Sequence, residues 1–205
     1  MPDNDNSESN SAAQARTRRD PWGDDPLRTA ERPHLPKPQG SPPARQIGGS
    51  GSRLVLIHDH LRQEMRQLRE AVARVADGTS DAATARSAIS NLTMQRNYRN
   101  LGSFCGSYCR ILTLHHTIED RALFPEIAMA DQSVEPVIKR LDWEHEVIAE
   151  VCTALDTTLM ALINGEGSIA DVQEIVETLD QVLSSHLDYE EDELVGPISR
   201  LNITV

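Results

Sequence analysis

Beyond residue 52 the chain repeats one pattern, apolar side chains three and four positions apart, which is the spacing of a single face of an α-helix. Leu54, Leu61, Met65, Leu68, Val72 and Val75 form the first stripe and predict a helix over 53–77, stopped by Asp77-Gly78. A weaker stripe of Ala85, Ile89 and Leu92 gives 81–100 helical character, wrapping the others. Phe104, Tyr108, Ile111 and Leu112 lead a second main helix over 101–129, which Pro125 bends or ends. Ser133 reads as the cap of a third, with Pro136 in its first turns and Asn164-Gly165 at its end. Ser168 caps the fourth, which stops near Val195 at Gly196-Pro197. No run of alternating residues suggests a strand. The fold class expected is therefore all-α, an up-and-down four-helix bundle over 53–205.

Polar residues on these stripes carry the candidate chemistry. His58 lies one turn before Leu61, His145 lies in phase between Leu141 and Ile148, and His186 follows Leu179, Val182 and Leu183. His115 pairs with Glu119, and His186 with Glu190, at a spacing of four, so each pair presents an imidazole and a carboxylate on one helix face. Burying such groups without partners costs on the order of a few kcal/mol apiece, which an ordinary domain of roughly 5–15 kcal/mol stability cannot absorb. Two His-x-x-x-Glu units and two further histidines can enclose a pair of metal ions; a purely structural polar network is the alternative.

Three doublets require a choice. His58 is on the apolar stripe whereas His60 shares a face with Glu64 and Gln67, which favours His58. Glu190 stands one turn after His186 and Glu191 slightly farther round, which makes Glu190 the better ligand and Glu191 the runner-up. His116 pairs with Asp120 as His115 does with Glu119. The phenols of Tyr108 and Tyr189 lie near enough in sequence to approach the metals, although aromatic packing accounts for both.

Residues 1–52 show no apolar periodicity and are rich in Pro, Ser, Asn, Gly, Arg and Asp, so they read as a disordered tail and linker, dispensable for metal binding. Basic and acidic residues balance there. The formal charge of −12 accordingly belongs to 53–205, a surface unsuited to nucleic acid or to an anionic membrane. No stretch approaches the roughly 18 consecutive apolar residues of a membrane span, and the N-terminus has no apolar signal segment. Cys105, Cys109 and Cys152, odd in number and on helical stripes, fit packed thiols in a reducing compartment. The expected location is the cytoplasm.

Through His115-His116-Thr117-Ile118-Glu119-Asp120 up to Pro125, and again from His186 through Glu190-Glu191 to Pro197, the chain resembles the hemerythrin-like (HHE cation-binding) family. The first-helix histidine, the Glu144-His145 pair and the two His-x-x-x-Glu units follow the family's order over 53 to about 200. The resemblance implies a non-haem diiron centre of two iron ions, with Glu119 and Glu190 as bridges and His58, His115, His145 and His186 as terminal ligands. The family's spacing to Pro125 favours His115 over His116, which is left a surface or outer residue. Oxygen-carrying members have a second histidine on helix three, one turn from the first; here Leu141 and Ala149 stand at those places. A four-histidine site leans toward a redox enzyme acting on hydrogen peroxide or dioxygen, catalase-like or oxidising an organic substrate. The alternative is a protein that only binds dioxygen, nitric oxide or iron for sensing or storage.

Overall fold

In the computed structural model of the chain, residues 22–77, 106–163 and 166–205 are described. The expected helical segment over 81–100, the start of the second main helix, Cys105 and the stops at Gly78 and Gly165 lie outside them. The described helices are α1 (Ser52–Ala76), α2 (Gly106–Ile118), α3 (Phe124–Ala130), α4 (Glu135–Ile163) and α5 (Ile169–Leu201), and no strand occurs among these residues. A π-helical turn, Glu119–Leu123, joins α2 to α3, so the two make one interrupted rod and the fold is an all-α bundle of four rods.

Local sequence explains most of the element ends. Pro125, without an N–H and with a ring that crowds the carbonyl four residues back, favours the wider turn that precedes it, closed by the Phe124 N–H on the Glu119 carbonyl. The rod continues to Ala130. A 3-10 turn, Gln132–Val134, leads into α4, and its cap is Asp131 where Ser133 was expected to cap the helix: the Asp131 carboxylate accepts from the Ser133 N–H and hydroxyl at 3.0 and 2.6 Å. Ser168 caps α5 in a reciprocal box with Asp171. That helix runs through Gly196-Pro197, where a stop was expected, because Leu194, Val195 and Ile198 are fully buried and hold the turn against the core. Asn202, at φ 54°, closes it instead.

The core has two apolar parts. One contains Leu61, Met65, Leu68, Tyr108, Leu112, Leu155 and Leu179; the other contains Leu54, Phe124, Ile127, Val137, Leu141 and Ile198. His58, His115, His145 and His186 fall between these two sets along their respective helices, so a polar layer is closed off by hydrocarbon on either side.

The tail expectation fails for residues 22–51, which pack along α4 and α5. Leu27 is buried in the core, and Leu35, Ala44 and Ile47 lean on it. Tyr189 donates from its hydroxyl to the Pro33 carbonyl at 2.7 Å. At Gly51 a Cβ would meet the Val195 carbonyl oxygen at 2.5 Å, so the chain passes too close to α5 for any side chain. This strap is held by separate contacts and not by a periodic stripe, which is why no amphipathic pattern marks it. Cys109 is also not the packed free thiol expected: it is disulfide-bonded, whereas Cys152 is free and buried. The cysteines thus give no support to a reducing compartment. Among the described residues no helix is long and apolar enough to cross a membrane.

Candidate metal centre

Two groups of ligand atoms meet in the polar layer, the members of each within 4.8 Å of one another: His58, His115, Glu119 and Glu190 in one, His116, His145 and His186 in the other. The carboxylates link them. Glu119 lies 3.2 Å from His115 Nε2 and 3.7 Å from His145 Nε2, while Glu190 lies 3.4 Å from His58 Nε2 and 3.7 Å from His186 Nε2. Each glutamate therefore touches one histidine of either group, the placement of a carboxylate that bridges two ions.

The donors fit such a pair. Nε2 of His58, His115, His116, His145 and His186 and both carboxylate oxygens of Glu119 and Glu190 are buried without a hydrogen-bond partner. At roughly 1–3 kcal/mol for each unsatisfied buried group, the set would cost about as much as a domain's whole stability. Cations satisfy all of them together, and imidazole with carboxylate is a donor set for iron, manganese or zinc.

On their far sides three of the rings are anchored by carboxylates. His58 Nδ1 lies 3.1 Å from Glu191, His145 Nδ1 lies 2.8 Å from Asp120, and His186 Nδ1 lies 3.1 Å from Glu144. An ionised carboxylate there accepts a hydrogen bond from Nδ1–H, which keeps the proton on Nδ1 and leaves the Nε2 lone pair for a metal. Burial works against ionisation of Glu144, but hydrogen bonds from His186 and Arg32 hold its carboxyl below the usual range. Glu191 is depressed in the same way, against its burial, by His58 and Arg62.

Burial also sets the state of the histidines. It pushes His115 down to about 3, with the neighbouring His58 adding to the effect, and it lowers His116 and His186 as well. These rings are neutral, the form that binds metal. His58 goes the other way: burial disfavours its charge, but Glu190 beside it raises it. Burial and the charge of Glu190 raise Glu119 well above a normal carboxyl. Glu190, equally buried, is lowered by His58, His186 and His115.

His116 is the residue that sequence reasoning placed outside the site. It is buried, its ring stacks on His145 with centroids 3.8 Å apart and planes 6° apart, and it completes the three-histidine group. A fifth imidazole, from α2, thus joins the four expected histidines among the candidate ligands. Ala149, one turn beyond His145, is small and lines the same depression as His116. His116→Ala is expected to lower metal bound after desalting from about two ions per chain to about one, because it strips one group and leaves the other whole. Unchanged stoichiometry would return His116 to a packing role.

The remaining candidates have other partners. Glu191 stands behind His58, and His60, 3.6 Å from Glu64, belongs to neither group. Tyr108 donates to the Leu61 carbonyl at 3.4 Å and Tyr189 to Pro33, and neither belongs to a ligand group. His34 pairs with Glu193. The π turn lies at the heart of the site, and its first residue is Glu119. Such turns, which break the α-helical hydrogen-bond ladder, are frequent at functional sites.

Comparison with known proteins gives a family match. The family model of the hemerythrin HHE cation binding domain covers residues 52–197. Neither a curated protein nor a solved structure matches the chain. With the model spanning most of the sequence, and with histidines and glutamates from all four rods converging on one layer, the chain belongs to the hemerythrin HHE cation-binding domain family.

Proposed function

We propose that this protein is a non-haem diiron redox enzyme that reacts with hydrogen peroxide or dioxygen, with catalase-like peroxide removal as its leading activity. One observation carries the reading: the two ligand groups are unequal, and the one with fewer histidines lies at the larger opening. His116, His145 and His186 serve one ion, but only His58 and His115 serve the other, with Glu119 and Glu190 shared. A groove of about 790 Å³ between α1 and α2 reaches His115 and Glu119. Leu56, Ile57, Leu114 and Ile118 form exposed parts of its wall.

Two irons held here supply redox equivalents and an open Lewis-acid position for an oxygen ligand. The chain contributes the rest. Glu119 and Glu190 fix the spacing of the ligand groups, His115 stands where the groove meets them, and the apolar wall limits bulk water at that point. The groove is larger than peroxide requires, so oxidation of an organic molecule is the variant of the same reading.

Iron-loaded protein is expected to release oxygen from hydrogen peroxide faster than free iron at equal concentration, and His145→Ala is expected to abolish the excess. No turnover above the free-iron control removes the catalase version. The five-imidazole count favours a second reading, reversible capture of dioxygen, nitric oxide or iron without turnover, because it restores the number of histidines that the carrier pattern has. Ferrous protein that takes up dioxygen and returns it under vacuum would decide for that reading; oxidation in air without return would decide for the enzyme.

A further inference from the structure

The strap reaches the metal centre from outside the family domain, which begins at residue 52. Arg32 donates to both oxygens of Glu144, at 2.8 and 2.9 Å, and Glu144 holds His186 Nδ1 at 3.1 Å. Arg45 lies 3.0 and 3.2 Å from the two oxygens of Glu191, which holds His58 Nδ1 at 3.1 Å. Both glutamates are buried, so the arginines do not compete with solvent for them at the inner end. One of the rings so reached belongs to each ligand group.

The arginines are themselves held in place. Arg32 lies over the Tyr189 ring at 4.5 Å and donates to the Ser185 hydroxyl at 3.1 Å. On either side of it, Leu27 is sunk in the core and the Leu35 N–H donates to Glu193 at 2.7 Å. A second cation on Glu144, Arg140 on the same helix at 3.1 Å, also donates to the Leu27 and Arg28 carbonyls of the strap. Glu191 has a partner independent of it, Arg62 on α1 at 2.6 Å. No strap residue is bonded to Asp120, which anchors His145.

We propose that residues 22–51 are a working part of the metal centre, in which Arg32 and Arg45 are positioning residues that fix Glu144 and Glu191 and, through them, the orientation and tautomer of His186 and His58. Fixed carboxylates keep both Nε2 atoms aimed at the ions, and loss of such an outer partner weakens metal binding by about 10–100-fold. Because Arg32 bonds both oxygens of Glu144 more closely than Arg140 reaches it, whereas Arg62 makes the shortest contact to Glu191, Arg32 matters more than Arg45. The proposal rests on the metal-centre reading, although one of its two tests needs no metal.

The full chain is compared with Arg32→Met, Arg32→Lys, Arg45→Met and, as a control, Arg69→Met, whose partners Asp180 and Glu177 belong to neither ligand group and are bonded to none of their histidines. After loading with ferrous iron, transfer of iron to excess chelator is expected to be at least about tenfold faster in Arg32→Met, less accelerated in Arg45→Met and partly restored in Arg32→Lys. In metal-free full-length protein, imidazole nitrogen resonances are expected to show His186 losing its single tautomer in Arg32→Met and His58 in Arg45→Met, with His145 unchanged in both. Unaltered release and unaltered tautomers would overturn the proposal. So would equal changes at His145, or the same changes in Arg69→Met, since either denotes general loosening. Should the parent chain fail to hold iron, the diiron reading falls, and the tautomer measurement still decides the role of the strap.

Discussion

Glu190→Ala is expected to leave the chain without tightly held iron, taking it from about two ions per chain to near zero after desalting. Glu190 is fully buried and reaches His58 of one ligand group and His186 of the other. Its removal takes one of the two shared carboxylates from both ions at once and withdraws a negative charge that their common surroundings cannot replace. Glu119 alone would then face two cations in a layer closed by hydrocarbon, where Coulomb terms are weakly screened. Glu190→Gln keeps the shape and removes the charge, so iron loss there with unchanged helicity separates coordination from packing. His60→Ala and His34→Ala are expected to retain full iron, because neither ring belongs to a ligand group. Two irons retained in Glu190→Ala would move the bridge to Glu191 or sink the assignment altogether.

Much of this site can be read along the helices, and what cannot has a physical reason. The stripe that predicts a helix over 53–77 yields α1 at Ser52–Ala76, and the Ser168 cap is where the sequence puts it, because both depend on contacts within a few residues. The end of α5 depends on distant packing, which outweighs the stop signal of Gly196-Pro197. His116 was hidden by a rule that is correct for a narrow stripe: neighbours on a helix point about 100° apart, so one of a doublet faces inward. Along α2, however, buried residues come in pairs, Tyr108 with Cys109, Ile111 with Leu112, then His115 with His116. A broad inward face lets adjacent histidines serve different ions, and those paired apolar positions were the available signal. The strap leaves no such trace. Arg32 and Arg45 are ordinary charges in a Pro-rich stretch, and only the fold brings them to carboxylates more than 100 positions away in sequence.

Chelation of the metal is expected to lower the melting temperature by roughly 10 °C, since a ligand held at a thousand times its dissociation constant stabilises by about 4 kcal/mol and each kcal/mol shifts a domain of this size by about 2–4 °C. The chelated protein is also expected to respond to pH in a definite sense. His115 is held at about 3 against 6.5 in the unfolded chain, so below 6.5 the unfolded state takes up a proton that the folded state refuses. Its contribution is present above that range and is lost as pH falls toward 3, and the lowered His116 and His186 act in the same direction. Glu119, raised from 4.5, opposes them, but it is one group against three. Above 6.5 the balance reverses: the raised His58 holds a proton that the unfolded chain has released, and its contribution is lost as pH rises through its folded value. Melting curves of chelated protein should therefore peak near pH 6.5. Iron competes for that same proton position, so the gap between loaded and chelated protein should widen on the alkaline side. Equal melting temperatures with and without metal across this range would mean that the layer is a self-satisfied polar network, and the diiron reading would fall with it.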